Sequence, residues 1–176
     1  YFPKNFFASN LNQLRSGVVI AVVAFLIVSY EQQRPLKYFV ITAAAASIHV
    51  VAVIFVPIFL YLRLRVSKTR VVFLVTSALA VSFVGREALL FVESRIGLPN
   101  VLSFYLHSEL FGEAVPILSI QVLRRVAVVI LVVLTLEQVA SRVPYYVTVV
   151  KFYIASVVFY FAFRQVGEIA ERLSAV

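Results

Sequence analysis

Cysteine is absent from the 176 residues, which excludes a disulfide framework and a thiolate metal site. Aspartate is absent too. All eight acids are glutamates, so no D-x-D divalent-metal motif can be drawn. Histidine occurs only at 49 and 107. Charged residues make up 14% of the chain against 62% hydrophobic, with a mean hydropathy of +1.00. A water-soluble domain could not hide that much apolar side chain, so the composition predicts an integral membrane protein. Fixed-period repeats and low-complexity tracts are also missing. The chain opens at Tyr1 without a signal-peptide pattern and stops after ERLSAV. It is expected to be a piece of a longer multi-pass protein, with further helices at both ends.

The cations present are twelve Arg and four Lys. That bias favours bidentate recognition of phosphate or carboxylate over simple surface charge. The stretch from Ser9 to His49 organises the reading. Asn12, Gln13 and Arg15 stand at the mouth of an apolar run that ends at Tyr30, and His49 lies inside another apolar region. Polar and ionisable groups at membrane depth are costly and by default mark function. This stretch is therefore expected to form one wall of a site for an anionic, lipid-linked substrate.

The expected fold is all-α: a polytopic membrane helix bundle with a broken, re-entrant helix pair and one long outer loop. Residues 1–176 are read as a single, partial transmembrane domain. Its helices are placed at about 10–30, 36–47, 49–63, 70–92, 120–140 and 144–163. Pro35 is well placed to start the second helix. As one straight helix, Leu36 to Leu62 would measure about 40 Å, against a hydrocarbon core of roughly 30 Å. The basic cluster RLRVSKTR (63–70) favours the cytoplasmic side, and the 31–37 turn carries Arg34 and Lys37. With both loops on one side, the segment between them must dip in and return, with His49 near its tip. Residues 93–120 form the outer loop. It carries Glu93, Glu109, Glu113 and His107 and has room for a short interfacial helix.

LNQLRSGVVIAVVAFLIVSYEQQRPLKYFVITAAAASIHVVAVIFVPIFL resembles the core of the EpsG-type family of bacterial exopolysaccharide and O-antigen polymerases. That family shows an N-x-[IL]-R-Q lead into a helix and then a basic turn. A small-residue stretch closing on a His follows, and then an apolar run containing Pro. Its later I-x-x-R-[LI] step is similar to EIAERL (168–173). Here Ser16 replaces the Gln that usually follows the motif Arg, and the final helix of the family is missing.

The resemblance implies a Wzy-like polymerase. Such an enzyme joins undecaprenyl-pyrophosphate-linked oligosaccharide repeat units on the extracytoplasmic face of the bacterial inner membrane, with inversion and without a metal or other cofactor. Arg15, Arg172 and His49 would be catalytic. Arginine forks would stabilise the leaving pyrophosphate, and the imidazole would assist the acceptor hydroxyl. Asn12, Gln13, Arg86, Arg124 and Arg125 are candidate substrate-binding residues. Adjacent Arg124 and Arg125 point about 100° apart on a helix, so one of them is expected to face the site.

Each of these residues also has a plain reading. Arg15 could anchor to headgroups, His49 could bond a carbonyl, and Arg172 could pair with Glu168 one turn earlier. Arg86 could pair with Glu87, and His107 is read as solvated. Glu109 and Glu113 are weaker candidates for a base, while Phe104 and Tyr105 could stack on sugar rings. The expected partners are the lipid-linked glycan, membrane lipids and other polysaccharide-assembly proteins, and not nucleic acid. The rival readings are a transporter or flippase of an anionic lipid-linked glycan, a non-catalytic assembly subunit, and an O-antigen ligase.

Overall fold

The computed structural model describes residues 18, 21–48, 50–96, 103, 107 and 115–165. All regular structure among them is helical. The helices are α1 (Ala21–Glu31), α2 (Pro35–Ile48), a 3-10 helix (Val50–Ile54), α3 (Phe55–Leu62), α4 (Lys68–Ser82), α5 (Gly85–Ile96), α6 (Ile120–Ala140) and α7 (Tyr146–Ala162). They fall into two compact units, divided after Arg63.

In the first unit, α1 ends in a Schellman closure. Gln33 takes a left-handed backbone (φ 55°). The Arg34 amide donates to the Ser29 carbonyl at 3.0 Å, and the Gln33 amide to the Tyr30 carbonyl at 2.9 Å. Pro35 then opens α2, where a missing N–H does no harm. Tyr38, Thr42 and Ala45 form the buried stripe of α2, and Phe55, Ile58, Phe59 and Leu62 that of α3. These spacings follow a helical face. Pro57 cannot donate to the carbonyl four residues back, which accounts for the tighter 3-10 turn ahead of α3.

The chain folds back between α2 and α3, and aromatic side chains close the hairpin. The Phe59 ring lies 4.9 Å from Tyr38, 4.8 Å from Phe39 and 6.0 Å from Tyr30, centroid to centroid. The Tyr38 hydroxyl donates to the Phe55 carbonyl at 3.0 Å. The Tyr30 hydroxyl donates at 2.7 Å to the carbonyl of Leu62, the last residue of α3.

In the second unit, α7 is the central element. It packs chiefly on α4 and also on α6, and ten of its residues are buried, which marks a helix enclosed on most sides. Serine hydroxyls cap α4 and α6: Ser67 accepts from the Arg70 amide and Ser119 from the Val122 amide, both at 3.3 Å. One correction follows. The helix expected over 70–92 is broken at Phe83–Val84, α4 and α5 being bent by 63°, and α5 runs on to Ile96 into the stretch read as outer loop. Glycine at this point permits a close backbone approach. A Cβ on Gly85 would stand 2.9 Å from the Ala162 carbonyl oxygen, so the backbone of the bend lies directly on the end of α7.

Among the described residues no single helix is long and apolar enough to cross a membrane; the bent pair Lys68–Ser82 and Gly85–Arg95 passes by length and composition. Although α6 has 21 residues, it carries Arg124, Arg125 and Glu137. Large apolar residues, Ile120, Leu123, Ile130, Leu131 and Leu134, are nonetheless exposed along it, beside Arg124 and Gln138.

Candidate functional site

The polar cluster best defined by the structure lies where the start of α6 meets the end of α7. Gln121 and Arg125, four apart, share a face of α6. Tyr160 of α7 is fully buried and donates its hydroxyl to Gln121 Oε1 at 3.0 Å. The Arg125 guanidinium lies over the Tyr160 ring, 4.0 Å from its centroid. Stacking of this kind contributes about 0.5–2 kcal/mol and fixes the plane of the guanidinium. The Tyr153 hydroxyl reaches the Arg125 carbonyl at 3.4 Å. Arg124 is exposed on another face of α6.

One turn beyond Tyr160 comes Arg164, which the sequence reading did not single out. Its side chain is only 4% exposed. The Arg164 Nη1 donates to the Val115 carbonyl, and the Val115 amide returns a bond to the Arg164 carbonyl at 3.0 Å. The guanidinium carbon sits 5.7 Å from the centroid of Phe83, at the α4–α5 bend. Its Nε is buried without a hydrogen-bond partner, and Arg164 forms no ion pair among the described residues. Enclosing a guanidinium is costly, and among the described residues the Val115 carbonyl and the Phe83 ring are what offset that cost. A sequence signal did exist: FAFRQ places an arginine directly after a continuous apolar run, four residues past a tyrosine.

The other candidates are placed as follows. Arg86 is exposed on α5 and makes no ion pair with Glu87 among the described residues. Asn12, Gln13, Arg15, His49, Phe104, Tyr105, Glu109, Glu113, Glu168 and Arg172 lie outside the described residues. His107 corrects its reading as merely solvated: its Nε2–H donates to Glu93 Oε2 at 2.9 Å. Ser103 donates to the other carboxylate oxygen, Oε1. No group of three metal-ligating side chains occurs among the described residues.

These features define a helical protein with an arginine-bearing polar cluster at the ends of two packed helices. The EpsG family profile matches residues 1–176, and the chain belongs to the EpsG family. Comparisons with curated proteins and with solved structures found no match.

Proposed function

We propose that the protein is a Wzy-like polymerase. In this reading it is a membrane glycosyltransferase that joins undecaprenyl-pyrophosphate-linked oligosaccharide repeat units into exopolysaccharide or O-antigen. It works on the extracytoplasmic face of the bacterial inner membrane. The observation that carries the reading is the family match along the whole chain. The geometry supports it through Arg125, stacked on Tyr160, and Arg164, buried one turn further on.

The acceptor hydroxyl attacks the anomeric carbon of the donor, and negative charge builds on the departing pyrophosphate. Guanidinium groups fixed in a partly dehydrated place stabilise that charge without reorganising. Arg15 and Arg172 join this cationic set in the proposal, with His49 beside the acceptor and Asn12 and Gln13 orienting the sugar. The large apolar residues exposed on the helices fit insertion among lipid tails.

Polymer ladders from cells carrying full-length variants test the reading. Arg125→Lys keeps the charge and loses the planar fork, and is expected to lower polymer yield by about tenfold or more, the loss of one charge-assisted contact. Arg15→Lys, Arg172→Lys and His49→Ala are expected to shorten or abolish the ladder. Normal ladders from all four would refute the assignment. The broken helices favour one rival, a transporter of the same lipid-linked glycan. That rival predicts precursor accumulating on the cytoplasmic side, whereas a polymerase defect leaves single repeat units on the outer side.

A further inference from the structure

The Glu93, Ser103 and His107 side chains form a second polar cluster, which the arginine site does not use. Glu93 projects from the last turns of α5. One of its carboxylate oxygens accepts from Ser103, and the other from His107 Nε2–H at 2.9 Å. An ionised carboxylate has no proton to give, so in the neutral imidazole the bond fixes the tautomer: Nε2 carries the hydrogen and Nδ1 the lone pair. The carboxylate side chain is 20% exposed and the imidazole 62% exposed. The anchored end is therefore shielded, and the basic end is open to approach. A carboxylate that orients an imidazole and balances its positive charge is the arrangement used for proton abstraction from hydroxyl groups.

We propose that His107, oriented by Glu93, is the base that accepts the proton of the acceptor sugar hydroxyl. The proposal rests on the polymerase reading and moves one role within it: His107 takes the acceptor proton, and His49 is left to bind the acceptor. The acceptor oxygen forms a bond to the anomeric carbon of the donor as the bond from that carbon to pyrophosphate oxygen breaks. The bonding pair leaves with undecaprenyl pyrophosphate. The hydroxyl proton passes to His107 Nδ1, the resulting imidazolium is held by Glu93, and the proton is then released to water. Ser103 is a positioning residue, holding the second carboxylate oxygen.

The test uses the full-length protein in membrane vesicles from its own host, supplied with that host's labelled lipid-linked repeat units. His107→Gln keeps a donor for Glu93 but no basic nitrogen, and is expected to lower turnover by about 10²–10⁴-fold, the usual contribution of a positioned base. Half-saturation by the donor should stay within about twofold of wild type, since the base acts on the acceptor. In His107→Ala, added imidazole is expected to restore turnover at least in part. A contact that only ties 93 to 107 predicts near-normal turnover in His107→Gln and no response to imidazole in His107→Ala; either result overturns the proposal. Wild-type vesicles that make no polymer would instead refute the polymerase reading itself.

Discussion

The two units solve the problem of buried polar groups in opposite ways. In the α1–α3 unit the buried polar side chains among the described residues are hydroxyls, each spent on a nearby carbonyl. Ser29 donates to the Phe25 carbonyl at 2.7 Å and Thr42 to the Tyr38 carbonyl at 3.0 Å. In the α4–α7 unit the interior holds Lys151 and Arg164. A hydroxyl satisfied by the carbonyl one turn back is cheap to enclose, whereas an enclosed cation is not. The described part of the first unit encloses only the cheap kind, and the second encloses two cations within a mostly apolar core.

Three substitutions sharpen this contrast, taken from the largest expected effect. Phe59→Ala removes the ring on which Tyr30, Tyr38, Phe39 and the Arg63 guanidinium converge, the last at 4.9 Å. A loss of about 3–5 kcal/mol is expected, as for other buried aromatics. It would be read as a fall in unfolding midpoint of the detergent-solubilised protein, with lost hydrogen-exchange protection in α2 and α3. An unchanged midpoint would show that packing is not what holds this unit.

Gly85→Ala comes next. The added methyl must displace backbone at Ala162, at a cost of about 1–3 kcal/mol. Because Ala162 lies two residues before Arg164, the same variant should also shorten the polymer ladder. Gln33→Gly is the smallest and has the opposite sign. Relieving a left-handed non-glycine residue is expected to raise stability by about 1 kcal/mol or less. A lower midpoint would mean that the Gln33 side chain contributes something its backbone geometry does not reveal.

The helical class was legible because apolar runs bounded by Pro, Ser and short polar turns leave little choice, and the family was legible in the first fifty residues. The bend at Phe83–Val84 was not. Gly85-Arg86-Glu87 reads as the polar end of a helix, and the backbone packed against it, at Ala162, is far along the sequence. Arg164 did not stand out in the sequence, since exposure is the usual state of an arginine after an apolar run. The Glu93–His107 pair joins residues fourteen apart with no periodic signature, so only coordinates could bring them together. Tyr145 takes φ 62° just ahead of α7, where turn chemistry would lead one to look for glycine or asparagine.

The bond from Tyr30 to the Leu62 carbonyl has a bearing on biogenesis. The fastening of the hairpin depends on nearly its last residue, so a nascent chain halted before position 62 holds all three aromatic partners of Phe59 but lacks the latch. Domains tend to fold as units in order of synthesis. The hairpin is then completed at one definite point of elongation, when residue 62 clears the ribosome, and a pause after that point would give it time to shut before the later helices emerge.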